Sequence, residues 1–107
     1  MTKKKIVYID MDGVIVDFEK AIKDWFEKHP HLEERYKTHP DHIQGLFRIA
    51  PPIKGAVEAI KKLHNSGKYE LFIATSAPWG NPQSLTDKRF WLEDYFDNIF
   101  HKRLFTT

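Results

Sequence analysis

The chain has 107 residues, 17 basic and 15 acidic side chains, and a formal charge of +2. Its 41% hydrophobic and 30% charged content is ordinary for one soluble domain and argues against disorder throughout. Neither half is basic enough for a nucleic-acid footprint, cysteine is absent, and no apolar stretch approaches the ~20 residues of a membrane span. The start, Met1–Lys5, lacks the apolar block of a signal peptide, so a cytoplasmic protein without nucleic-acid or membrane partners is expected.

The first predicted element is a strand, Lys5-Ile6-Val7-Tyr8-Ile9-Asp10. It is β-branched, aromatic and apolar on both faces, the pattern of a parallel strand covered on both sides. Gly13 follows where the chain must turn sharply. The period then changes. Phe18, Ala21, Ile22, Trp25 and Phe26 share one helix face, with Asp17 as its N-cap and Pro30 as its stop. His31–Thr38 and Asp41–Arg48 read as two short helices separated by Pro40, and Ala50-Pro51-Pro52 breaks the chain. An amphipathic helix with Ala56, Val57, Ile60 and Leu63 ends at Asn65-Ser66-Gly67. A second apolar strand, Glu70–Ala74, runs into a loop over Thr75–Pro82. A helix from about Ser84 to Tyr95 carries Leu85, Phe90 and Trp91, with Phe96 just beyond, and Ile99–Phe105 reads as a third strand.

Strands alternating with helices imply parallel pairing through right-handed crossovers. The expected fold is α/β: a three-layer, Rossmann-like parallel sheet with a small helical cap insertion. Residues 1–17 and 51–107 form its core and residues 18–50 the cap. Such sheets bind ligands beyond the carboxyl ends of their strands. Two strand ends carry reactive groups, Asp10-Met11-Asp12-Gly13 and Thr75-Ser76.

Asp10 and Asp12, two apart in extended backbone, project to one side, where two carboxylates repel unless a cation intervenes. Mg²⁺ suits hard oxygen ligands and can hold a substrate phosphate, which makes both residues candidate metal ligands. Asp10 could then attack phosphorus and form an aspartyl-phosphate. Asp12 could protonate the leaving oxygen and later activate the hydrolytic water. Gly13 would let backbone N–H groups approach the phosphoryl oxygens. The same string also fits a plain turn, with Asp10 capping it and Asp12-Gly13 as its turn dipeptide.

Other features read more blandly. His29, His31, His39 and His42 cluster in the insertion, but Pro30 and Pro40 break any common helical face, so solvated histidines are expected. Trp25 and Phe26 belong to the packing stripe, and core packing explains Phe18 and Phe47 as well as base stacking does. Trp79 could close over a base or cover the strand end. Ser76 lacks the surroundings of a serine nucleophile.

The stretch Ile6–Val14 (IVYIDMDGV) resembles the first motif of the haloacid dehalogenase-like phosphatase superfamily, and Leu71–Thr75 (LFIAT) resembles its second. Asp10–Phe18 (DMDGVIVDF), Pro52–Ala56 (PIKGA) and Thr75–Pro78 (TSAP) are similar to the 5'(3')-deoxyribonucleotidase group, type C, and Trp79–Phe96 to its bacterial members. The resemblance implies Mg²⁺-dependent hydrolysis of nucleoside monophosphates. Asp10 would be nucleophile and metal ligand, and Asp12 the acid/base whose backbone carbonyl also binds Mg²⁺. Thr75 and Ser76 would hold the phosphate, and Phe18 and Phe47 would line the nucleoside pocket. Alternatives are a phosphatase for another small phosphate ester, or a non-catalytic nucleotide- or phosphate-binding module.

The superfamily pattern also places a lysine just beyond the third strand and paired acids after a fourth. Lys88, Lys102 and Arg103 precede that lysine position, and Asp94 and Asp97 border the last helix, so a chain shortened at its C-terminus is expected. The first strand then becomes an apolar edge that invites association, and a homodimer is one expected form.

Overall fold

The computed structural model describes residues 3–106; Met1, Thr2 and Thr107 lie outside the described residues. Three strands, β1 (Lys5–Ile9), β2 (Tyr69–Thr75) and β3 (Leu104–Thr106), form a parallel sheet in the order β1-β2-β3. Register sets Val7 opposite Leu71, Ile9 opposite Ile73, and Thr75 opposite Thr106. Because side chains alternate, Val7, Ile9, Leu71, Ile73 and Thr75 share one face.

The core lies on that face. Leu71 and Ile73 are buried with Ile60 of α4 (Ala56–Asn65) and with Trp91, Leu92 and Phe96 of α5 (Ser84–Phe96). The two helices also touch each other, as expected of crossovers that advance in one direction along the sheet. Parallel pairing and the edge position of β1 follow the sequence reading. Coverage of β1 on both sides does not, because among the described residues both crossovers pack on one face. On the other, Ile6 is 56% and Tyr8 62% exposed, and Tyr8, Phe72 and Phe105 form an aromatic cluster with ring centroids 5.6–6.1 Å apart. No helix among the described residues is long and apolar enough to cross a membrane.

Helix α1 (Phe18–Lys28) begins and ends where its residues dictate. The Asp17 carboxylate accepts the Lys20 N–H at 3.1 Å, and the helix stops just before His29-Pro30. Ala21 is buried and Phe18, Ile22, Trp25 and Phe26 are half-buried, so the apolar stripe faces inward. The rest of the insertion is more broken than expected. It holds a 3₁₀ turn at Pro30–Leu32, α2 (Glu33–Tyr36), a second 3₁₀ turn at Pro40–His42, and α3 (Leu46–Ile49). Gly45, at φ +80°, separates the last two, which read as one helix in sequence. The third strand is also shorter than expected. Turn hydrogen bonds from Ile99 to Phe96, His101 to Asn98 and Arg103 to Phe100 replace its first half, and Phe100 reaches the core from a turn.

The insertion is tied to the rest of the chain by buried polar contacts. Trp91, without exposed surface, donates its indole N–H to the Ala50 carbonyl at 2.7 Å. Asn81 Nδ2 donates to the carbonyls of Asp41 at 3.1 Å and Ile43 at 3.2 Å. Trp91→Phe strands the Ala50 carbonyl and leaves a small void. It should lower stability by about 2 kcal/mol, read as a shifted urea midpoint with an unchanged slope.

Candidate functional site

Strand β1 ends at Ile9, level with Ile73, so Asp10 and Thr75 lie at neighbouring strand tips. Met11 is buried, and its carbonyl accepts the N–H groups of Val14, Ile15 and Val16 at 3.1, 2.9 and 2.9 Å, folding the chain into a tight loop. Gly13 supplies the left-handed residue of that loop, at φ +78°. Its own N–H donates to the Val16 carbonyl at 2.9 Å. Gly13 therefore shapes the turn, and its own amide is taken up within it.

The two carboxylates have different surroundings. Asp10 is exposed, and its Oδ1 accepts the Met11 N–H at 2.7 Å, while its other oxygen makes no hydrogen bond among the described residues. Asp12 is half-buried. Its Oδ2 accepts from the Lys88 ammonium at 3.1 Å, and its Oδ1 is buried without a protein partner among the described residues. An ionised oxygen left so costs free energy that a proton on it or a cation beside it would remove.

Lys88 organises the site. It projects from α5, is 1% exposed, and donates to Thr75 Oγ1 at 2.9 Å, the Ser76 carbonyl at 2.6 Å and Asp12 Oδ2 at 3.1 Å. An ammonium group has three N–H donors, so every one finds an acceptor. Such full pairing is what makes a buried lysine tolerable. The lysine thereby joins the carboxylate beyond β1 to the hydroxyl ending β2. Its Nζ also lies 4.5 Å from the centroid of the Phe47 ring.

Thr75 takes part through its side chain, Ser76 through its carbonyl, and Ser76 as a residue is exposed. Phe18 and Phe47 come together, but on each other, with centroids 4.4 Å apart and planes 4° apart. Phe47 is 3% exposed. The pair expected to line one pocket thus divides into a buried wall, Phe47, and a half-buried ring, Phe18, that keeps some free surface. Trp79 is 99% exposed, so it covers nothing among the described residues.

Sequence reasoning set Lys88 aside because it precedes the third strand, where the superfamily pattern places its lysine beyond that strand. A signal was present. Ser84, Asp87, Lys88 and Trp91 recur at the 0, 3, 4, 7 spacing of one helix face, and all four are buried, while Leu85 and Phe90 are exposed. The helix thus buries Ser84, Asp87 and Lys88 beside its core residues Trp91, Leu92 and Phe96, and buried polar side chains are the informative departure from a plain packing stripe.

No protein-family model matches the chain. It is 42% identical over 105 residues to a provisionally named 5'(3')-deoxyribonucleotidase of Vibrio phage KVP40, covering 96% of this chain and 58% of that one. Over 119 residues it is 31% identical to the 5'(3')-deoxyribonucleotidase of Bacillus subtilis (strain 168), covering 94% and 66%. Over 131 residues it is 26% identical to the cytosolic-type 5'(3')-deoxyribonucleotidase of Homo sapiens, covering 100% and 65%. The chain therefore spans about half to two thirds of the length of the curated relatives it matches.

Proposed function

By sequence this chain belongs to the 5'(3')-deoxyribonucleotidase family, and on that premise we propose that it hydrolyses nucleoside monophosphates at the Asp10–Asp12–Thr75–Lys88 cluster with Mg²⁺ as cofactor. One observation carries the reading: a buried lysine bridges an acid after β1 and a hydroxyl at the end of β2. That is where a parallel sheet offers its ligand crevice.

The donor set suits Mg²⁺, since the available groups are hard oxygens and one Asp10 oxygen has no other partner among the described residues. Asp10, with the backbone carbonyl of Asp12, would hold the ion, which supplies positive charge between an anionic nucleophile and a phosphate dianion. The remaining chemistry belongs to the chain. Asp10 attacks phosphorus through the oxygen that Met11 does not hold. The bond from phosphorus to the nucleoside oxygen breaks, and Asp12 gives that oxygen a proton. Water then attacks the aspartyl-phosphate and passes a proton to Asp12. Inorganic phosphate leaves, and both carboxyl groups return to their starting state.

Asp12 Oδ1 suits the proton's place, being the oxygen Lys88 does not occupy. Thr75 Oγ1 accepts from Lys88, which frees the hydroxyl proton for a phosphoryl oxygen. Residues 18–50 act as the cap in this reading, and Phe18 is the ring with surface to offer a base. The cytosolic-type name of the human relative fits a cytoplasmic place for the reaction.

Phosphate release from dUMP and from p-nitrophenyl phosphate, with Mg²⁺ and with chelator, tests the proposal. Metal-dependent release from dUMP is the expected result. Turnover of p-nitrophenyl phosphate alone would move the substrate to another ester, and nucleotide binding without any turnover would leave a binding module.

A further inference from the structure

We propose a zinc site on the insertion, formed by His39, Asp41 and His42 and separate from the Asp10 cluster. The ligating atoms of the three side chains lie within 4.8 Å of one another. Pro40, which suggested that the histidines are kept apart, is what brings them together. It occupies the first position of the 3₁₀ turn Pro40–His42, closed by the His42 N–H on the His39 carbonyl at 3.0 Å. A 3₁₀ turn has three residues per revolution, so side chains three apart eclipse. The two imidazoles accordingly stack, with centroids 4.8 Å apart and planes 12° apart.

The turn is built into the fold. The fully buried Asn81 holds the carbonyls of Asp41 and Ile43. The His42 ring lies so close to Gly80 that a Cβ there would overlap it, which explains a glycine without a positive φ at that position. His42 is thus held in place, while His39 is exposed and free to adjust. None of the three side chains makes a hydrogen bond or ion pair among the described residues, so their donor atoms are uncommitted.

Two imidazoles and a carboxylate with an open side are a zinc donor set, whereas Mg²⁺ prefers oxygen alone. Tetrahedral zinc needs ligand atoms about 3.3 Å apart, a closure of at most about 1.5 Å, for which the exposed His39 ring would turn out of its stack on His42. Bound there, zinc would fasten the insertion's turn beside the loop that follows Thr75 and Ser76.

The test is titration of the purified chain with Co²⁺, then Zn²⁺, in excess Mg²⁺, read by the visible absorption of bound Co²⁺ and by thermal melting. One equivalent should bind, Zn²⁺ should displace Co²⁺ and raise the melting temperature, and Asp10→Asn should behave as wild type. His39→Gln, a change at an exposed side chain, and His42→Gln should each weaken Zn²⁺ by about 10-fold or more, since even outer-shell changes cost that much. His64→Gln should change nothing. Equal Zn²⁺ affinity in wild type and in His39→Gln would overturn the site, as would binding that Asp10→Asn abolishes.

Discussion

Asp10→Asn should abolish phosphate release, lowering turnover by about 10⁴-fold or more, because an amide cannot form the aspartyl-phosphate. The fold should not notice. Asp10 is exposed, and its one hydrogen bond, from the Met11 N–H, needs only an acceptor oxygen that Asn also has. Unfolding midpoints of the two proteins should coincide while turnover collapses. Equal phosphate release from wild type and variant, under the same Mg²⁺, would remove Asp10 from the mechanism.

Lys88→Met should separate function from stability in the same direction, for another reason. Methionine keeps the buried stem but removes the charge that serves Asp12, Thr75 and Ser76. Loss of one preorganised donor at a site of developing charge typically costs about 10²–10³ in kcat. Two opposing terms act on stability. Burying an ammonium group is itself expensive, so its removal returns free energy, whereas two acceptors and a carboxylate lose their donor. Asp12 is 31% exposed on its side chain, and water can take over part of its solvation. The net change should stay within about 2 kcal/mol, measured by urea unfolding beside the kinetic assay. Normal turnover in a folded Lys88→Met protein would leave the lysine a purely structural role.

Much of this arrangement was legible because its cause was local. The Asp17 cap, the stop before Pro30, the two apolar strands and the turn at Gly67 follow from the nearest few residues, and each stands where read. The carboxylates at Asp10 and Asp12 were visible for the same reason, since a strand that ends in acids advertises itself. Lys88 was not, because its approach to Asp12 spans 76 positions and depends on how α5 rotates over the sheet. The spacing of Ser84, Asp87, Lys88 and Trp91 marks a helix face but not the partner that face meets. Phe47 was misjudged in degree: an aromatic's type does not say whether its faces are open, and here Phe18 and Lys88 press on it. The closeness of His39 and His42 was missed by applying α-helical geometry to a segment that folds at three residues per turn.

Among the described residues one side of the sheet is uncovered, and that bears on how this 107-residue chain behaves in concentrated solution. Ile6, Tyr8, Phe72 and Phe105 present an oily strip to water, interrupted by Glu70, the register partner of Ile6, and by the Arg103 guanidinium 4.8 Å from the Phe72 ring centroid. With a formal charge of only +2, copies repel one another weakly. Crowding during concentration brings such strips face to face, and neutralising the small charge excess near the isoelectric point hastens it. How densely the chain can be packed into a tube is thus decided by the face of the sheet that its core does not use.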